Sequence, residues 1–171
     1  MTFRKRIYAT IQQSIAEQKL PTSINYRFTQ RFKVSADAAY RWCTSYDPSD
    51  LELMHEDGER EIEQLSKDTF ILKDTYHKGS KPFSKTKLVR LHPRELFWTN
   101  THIDGPNRYS QFLYKIVPEG RKVSRLEFTG LQLEPEEMTR SEASAFARRV
   151  RKEDSTSWRY LAKAMEKELL G

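Results

Sequence analysis

The chain has 171 residues, 32% of them charged, and a mean hydropathy of -0.81, which is typical of a single domain with a strongly solvated surface. No apolar run approaches the roughly 20 residues that cross a bilayer, so we expect a cytoplasmic protein. The single cysteine, Cys43, excludes an internal disulfide framework and suits a reducing compartment.

The net charge of +6 favours an anionic partner, such as nucleic acid or an acidic protein. The basic residues concentrate in two clusters, both on predicted helices: Arg4, Lys5 and Arg6, and Arg148, Arg149, Arg151 and Lys152. Solvated helix faces have the same composition, and no helix-turn-helix, zinc-finger or RNA-recognition signature accompanies the clusters. Both interpretations therefore stay open.

Residues 2–19 form the first predicted helix, which Pro21 ends. Its apolar side chains recur at steps of four: Phe3, Ile7, Ile11 and Ile15. No acidic residue precedes Glu17, so import into an organelle by this segment stays open. We expect residues 1–22 to be an accessory helix packed outside the sheet of a domain formed by residues 23–171.

Residues 24–34 are the clearest predicted strand, because apolar and polar side chains alternate along them. One face carries the apolar set: Ile24, Tyr26, Phe28, Phe32 and Val34. Ser35, Ala36 and Asp37 then cap a short helix that Asp47 and Pro48 interrupt. A second short helix over residues 49–54 ends at the polar turn of residues 55–58.

Six further strands follow in a meander. Their predicted ranges are 59–65, 69–76, 84–91, 95–103, 109–117 and 123–133. Because the connecting loops are short, strands adjacent in sequence should pair antiparallel.

Residues 139–170 are predicted to form one long amphipathic helix. At about 100° per residue, Phe146, Val150, Trp158, Leu161, Met165 and Leu169 fall within an arc of roughly 140°. Thr139 and Glu142 have capping-box spacing, and Gly171 suits the end of a helix. Asp154 interrupts the apolar arc. Either a kink or second helix start lies there, or the carboxylate points into a cavity, where it needs a partner or a ligand.

Three segments resemble the START-like helix-grip superfamily, also called SRPBCC: YRFTQRFKVSADAAYRW, KLVRLHPRELFW and YKIVPEGRKVSRLEF, with Ser124 where relatives usually have Thr. The resemblance covers residues 23–170. It implies an α+β fold in which a curved seven-stranded antiparallel sheet wraps round a long C-terminal helix, with two short helices after strand 1. Members include lipid and steroid carriers, hormone receptors, polyketide aromatases and cyclases, and coenzyme Q chaperones.

A helix gripped by a concave sheet predicts a cavity lined by inward side chains of both. On strand 95–103, Trp98, Asn100 and His102 share one face, and which face points inward stays open. His102 is either a cavity residue or a strand-end residue facing solvent. The predicted ligand-binding residues are Tyr26, Phe28, Tyr76, Trp98, Asn100, His102, Tyr114, Phe128, Asp154, Trp158 and Met165.

The first functional hypothesis is a binding protein for a hydrophobic or amphipathic small molecule, such as a lipid, an isoprenoid or an aromatic compound. An enzyme of the cyclase or aromatase type is the second, with His102, Tyr76 or Asp154 as proton carriers. The third is an adaptor that binds RNA, a ribosome or an acidic protein. The four histidines lie far apart without zinc-site spacing, so no metal site is expected. No cofactor is expected either, and no residue is assigned as catalytic.

Overall fold

The computed structural model describes residues 21–77, 79 and 81–171. Within this part, the chain forms a seven-stranded antiparallel sheet and three helices. The elements in chain order are β1 (Thr22–Phe32), α1 (Ala36–Cys43), α2 (Asp50–Leu53), β2 (Gly58–Ser66), β3 (Thr69–Tyr76), β4 (Phe83–His92), β5 (Phe97–Asp104), β6 (Gln111–Gly120), β7 (Val123–Glu134) and α3 (Arg140–Leu170). The predicted fold class is confirmed, whereas the predicted helix at residues 2–19 lies outside the described residues.

The strand order is β1-β7-β6-β5-β4-β3-β2. Strands β2 to β7 follow one another as the predicted meander, because each is joined to the next by a short loop. Strand β1 pairs with β7, and Tyr26 lies opposite Gly130 and Phe28 opposite Phe128. The first and last strands are therefore adjacent, next to the C-terminal helix.

Strand ends differ from the predicted ones where the backbone enters a left-handed conformation. Strand β5 begins at Phe97 rather than residue 95, after Leu96 with a φ of 54°. Strand β6 begins at Gln111 rather than residue 109, because Asn107 and Tyr109 have φ angles of 62° and 70° in the preceding turn. Strands require negative φ, so the regular strands begin after these residues.

Helix α3 runs without interruption over 31 residues, and the predicted capping box between Thr139 and Glu142 is present. The alternative of a second helix start at Asp154 is therefore wrong. The buried residues of α3 are Val150, Ala162 and Met165, one stripe of the helix that packs on the sheet.

The inner face of the sheet, α1 and α3 share one core. The Trp42 indole of α1 donates to Glu168 of α3 at 2.8 Å, and the Tyr40 hydroxyl donates to the Phe97 carbonyl of β5 at 3.3 Å. The backbone N–H of Lys33 donates to Glu166 at 2.9 Å. These bonds hold the C-terminal half of α3 close to the sheet, while its N-terminal half and centre cover β1 and the space described next.

Candidate functional site

Two adjoining cavities lie between the sheet and α3. The main cavity has a volume of about 290 Å³, and the side cavity has a volume of about 120 Å³. By the same measure one water needs only about 10–15 Å³, so the main cavity has room for an organic molecule. The two share five lining residues: Met54, Lys87, Asn100, Tyr114 and Trp158.

One wall of these cavities is aromatic. The rings of Trp98 and Tyr114, opposite each other on β5 and β6, are parallel to within 3° with centroids 4.9 Å apart. The indole of Trp158 on α3 contacts both, at 6.2 Å from Trp98 and 5.7 Å from Tyr114. Phe128 supports Tyr114 edge-on at 5.0 Å. This arrangement gives the cavities an aromatic, largely apolar surface.

Strand β5 places Trp98, Asn100 and His102 on the inner face of the sheet. All three are buried, and His102 is only 6% exposed. The alternative in which His102 faces solvent is therefore wrong. The ladder puts His102 directly opposite Lys87 of β4, at a point where a bulge shifts the register. Opposite residues of a ladder have neighbouring side chains on one face, so His102 and Lys87 are neighbours on the inner face of the sheet.

His102 is held in its neutral form. Burial is the main cause that lowers the pKa of its imidazole to about 3, and the positive charges of Lys87 and Lys85 lower it further. Among the described residues, the Nδ1 atom has no hydrogen-bond partner. The Phe112 ring packs against the imidazole at 4.9 Å.

A buried ion network on β2, β3 and β4 lies beside the aromatic residues of β5 and β6. Asp74 is fully buried, and the Arg60 guanidinium donates to its two oxygens at 2.7 Å and 3.1 Å. Lys87 also donates to Asp74, and Arg60 makes a further bond of 2.7 Å to Asp50. Burial alone would raise the pKa of Asp74, but Lys87 and Arg60 outweigh it and lower the pKa to about 2.

The Tyr26 hydroxyl donates to the Asp154 carboxylate at 2.5 Å. Burial is the main cause that raises the pKa of Asp154, while the Tyr26 bond and the charge of Lys85 act in the opposite direction. The pKa of the Tyr26 phenol is raised as well, first by burial and then by the Asp154 charge. The pair joins β1 to the middle of α3 at the edge of the main cavity.

The structure brings most of the predicted ligand-binding residues together. Those that line the main cavity are Tyr26, Tyr76, Asn100, His102, Tyr114, Asp154 and Trp158, and Trp98 lines the side cavity. The other three belong to different surroundings. Phe28 and Phe128 stack at 4.5 Å in the core and border a separate depression, and Met165 is fully buried.

Sequence reasoning missed the charged residues of the wall, Arg60, Lys85 and Lys87. Their signal was present, because each occupies an inward position of its strand, where alternation leads one to expect an apolar residue. It also missed Tyr46, which follows α1 with a φ of 46° and lines the side cavity. Tyr46 lies in an irregular segment, where the alternation of apolar and polar residues does not indicate which way a side chain points.

No protein-family profile and no curated protein matches this chain. Solved structures, in contrast, are similar to this chain. The Zhui aromatase/cyclase from Streptomyces sp. R1128 is 10% identical with a TM-score of 0.71, and the match covers 86% of this chain and 96% of that chain. Ara h 8.0201 is 10% identical with a TM-score of 0.68, covering 85% of this chain and 99% of that chain. This chain has the START-like helix-grip fold.

A third helix-grip structure is norcoclaurine synthase from Thalictrum flavum, in complex with dopamine and hydroxybenzaldehyde. It is 14% identical with a TM-score of 0.65, and the match covers 90% of this chain and 92% of that chain. At these sequence identities the similarity shows the fold alone. The ligand has to be inferred from the side chains of this chain. Among the described residues, no helix is both long and apolar enough to span a membrane.

The predicted anionic partner remains a prediction. On α3 of the helix-grip domain, Arg148, Arg149, Arg151 and Lys152 are exposed. The second cluster of that prediction, Arg4, Lys5 and Arg6, lies outside the described residues. Across the part of the chain that is described, no group of three or more His, Cys, Asp and Glu side chains is arranged to hold a metal ion.

Proposed function

We propose that this helix-grip domain binds a small amphipathic aromatic molecule in the main cavity. One observation carries the proposal: a single cavity is lined both by aromatic rings and by hydrogen-bonding and charged groups. Trp158 and Tyr114 belong to the first group, and Lys87, His102 and Asp154 to the second.

The polar side argues against a purely apolar ligand. A hydrocarbon chain filling the cavity would remove Lys87 and His102 from water and offer them no hydrogen bonds, which costs free energy. A molecule with an aromatic body and a polar end satisfies both walls at once. The dopamine and hydroxybenzaldehyde held by norcoclaurine synthase are molecules of this kind, which supports the proposal at the level of the shared fold.

Native mass spectrometry of the purified full chain tests the proposal. We expect a bound small molecule that organic extraction removes, after which the emptied protein binds one equivalent of the fluorescent probe 1-anilinonaphthalene. The variant Ser157→Phe places a ring in the main cavity and should block the probe.

Ser144→Phe is the matched control, since Ser144 lies on α3, bonds to the carbonyl four residues earlier as Ser157 does, and is not a lining residue of either cavity. Absence of both a bound molecule and saturable probe binding would contradict the proposal, as would equal effects of the two Phe variants.

One observation favours a second candidate, an enzyme that works by acid–base catalysis. His102, with a lowered pKa, and Asp154, with a raised pKa, line the same cavity, so an imidazole and a carboxyl group can face one ligand. Proton removal by His102 and protonation of the carbonyl oxygen by Asp154 would convert a ketone into its enol.

Exchange of the α-hydrogens of 1-phenyl-1,3-butanedione in D₂O tests this activity. His102→Gln should lower the protein-catalysed rate at least a hundredfold, and exchange no faster than in buffer would exclude this activity for the probe.

A further inference from the structure

A row of side chains crosses the face of the sheet that points away from the cavities. Its members are partners in successive strands from β3 to β7: Ile71, Leu88, Thr101, Gln111 and Leu131. The residue after each of them in the chain is buried: Leu72, Val89, His102, Phe112 and Gln132. Neighbours along a strand point to opposite faces, so this outer row lies on the side of the sheet away from the core.

The outer row is more apolar than a solvated sheet face. Three of its five residues are Ile or Leu. Beside the row, Leu113 of β6 is 39% exposed and lines one depression with Thr101 and Leu131. A sheet with one face in water usually carries polar side chains on that face. In the described part of the chain, helices α1 and α3 pack on the inner face, so a cover for the outer row has to come from another element.

The end of the outer row at β2 is acidic. Ile71 pairs with Glu63, and every second residue of β2 on this face is an exposed carboxylate: Glu59, Glu61 and Glu63. At the outward positions of β2 and β3, both of which are described in full, Lys73 is the one basic residue, and it pairs with Glu61. Three carboxylates against one ammonium leave an excess of negative charge, which favours a basic partner.

The other end of the outer row is where residues 1–20 join the domain. Leu131 pairs with Asn25, three residues after Thr22, with which β1 begins. The six residues 16–21 span up to about 20 Å when they are extended. Along β1 the distance from Asn25 to Thr22 is about 10 Å, so the chain is long enough for Ile15 to reach Leu131.

The sequence of residues 1–20, which lie outside the described residues, is complementary to the outer row in length and in charge. Its apolar side chains recur at steps of four: Phe3, Ile7, Ile11 and Ile15. In a helix, Phe3 and Ile15 are about 18 Å apart. The four strand spacings from Leu131 to Ile71 cover about 19 Å. The basic residues Arg4, Lys5 and Arg6 lie at the end of the segment far from β1, which corresponds to the acidic end of the row.

We propose that residues 1–20 form a helix that docks on the outer row, with its apolar side chains on those of the row. The basic cluster Arg4, Lys5 and Arg6 then lies beside the carboxylates of β2. The inference goes beyond the proposed function and is independent of it, because the outer row and the cavities lie on opposite faces of the sheet. It also gives this basic cluster a partner within the chain.

Hydrogen exchange of the full chain, followed by mass spectrometry, tests the docking. We expect the amides of residues 7–15 to exchange at least a hundredfold more slowly than those of a synthetic peptide of residues 1–20, because an isolated helix of this length is marginal in water. Leu113→Asp should remove most of this protection. Leu169→Asp is the matched control, since Leu169 is 42% exposed on α3, and it should leave the protection unchanged. Exchange as fast as in the peptide, or equal protection in the two Asp variants, would overturn the proposal.

A charge reversal on the rim tests the direction of the helix. Changing Glu59, Glu61 and Glu63 to Lys should lower the protection of residues 7–15 about tenfold, because ion pairs at the surface become repulsions. Changing Arg4, Lys5 and Arg6 to Glu in the same chain should restore it. Protection that the first change leaves unaltered, or that the second fails to restore, would overturn the proposed placement. If Leu113→Asp does not fold, this comparison still decides.

Discussion

The Tyr26 hydroxyl of β1 donates a hydrogen bond of 2.5 Å to the Asp154 carboxylate of α3, across 128 positions of the chain. The contact depends on a third residue. Gly130 lies opposite Tyr26 in the ladder, and a Cβ atom there would lie 2.8 Å from the Tyr26 ring. The phenol therefore reaches the helix over a residue that has no side chain.

Replacement of Gly130 tests this arrangement. We expect Gly130→Ala to lower the free energy of unfolding by about 1–3 kcal/mol, because the rigid ring next to the new methyl group has to move. Urea denaturation measures the loss. Gly120→Ala is the matched control, since a Cβ there meets nothing within 4 Å, and it should change stability little. Equal losses in the two variants would contradict the close packing of Tyr26 on Gly130.

Asp154 should make stability fall as pH rises. Its pKa in the folded state lies above the unfolded value of 3.8, so the protein binds this proton more tightly when folded. The stabilisation is complete below pH 3.8 and is lost as pH rises through the folded pKa. Asp154→Asn keeps an acceptor for Tyr26 without a charge. We expect the stability of Asp154→Asn relative to the unchanged protein to increase from pH 3.5 to pH 8 in urea denaturation, and a decrease would show that the sign is wrong.

Asp74 should act in the opposite direction. Its folded pKa of about 2 lies below the unfolded value of 3.8, so its stabilisation is present above pH 3.8 and is lost as pH falls towards 2. Asp74→Asn leaves Arg60 and Lys87 without their buried counter-charge, and we expect a loss of about 3–5 kcal/mol near neutral pH.

The exposed pair of Glu61 and Lys73 supplies the control for Asp74. Their side chains are 70% and 47% exposed, so Glu61→Gln should cost about 0–1 kcal/mol. Chemical denaturation at pH 7 compares the two variants. A cost for Asp74→Asn as small as that for Glu61→Gln would mean that the buried network contributes nothing to stability.

His102 should remain neutral through the physiological range. With a folded pKa of about 3 and an unfolded value of 6.5, its neutral form stabilises the fold fully above pH 6.5, and this stabilisation is lost as pH falls towards 3. We expect its imidazole NMR resonance, assigned by its absence in His102→Gln, to stay constant from pH 8 to pH 5. A midpoint near pH 6.5 would contradict the buried, lysine-flanked setting.

The sequence by itself determined the elements and their faces. The period-two pattern of residues 24–34 and the long stripe containing Val150 and Met165 predicted a strand and a helix that the structure contains. Backbone geometry makes this possible, because the direction of a side chain within a strand or helix follows from local spacing alone. Turn residues shifted the strand ends, since the left-handed φ of Leu96 and of Tyr109 is not visible in the alternation.

Only the tertiary structure decided which side chains meet. Whether His102 faced a cavity or solvent depended on the register that sets it opposite Lys87. Asp154 accepts a hydrogen bond from Tyr26, which lies on a strand far away in the sequence. Arg60 and Lys87 are charged residues at inward positions, and Asp74 between them supplies a buried counter-charge for both. Hydrogen bonds and charge pairs act over a few ångströms in space, whatever the separation in sequence, so no local pattern contains them.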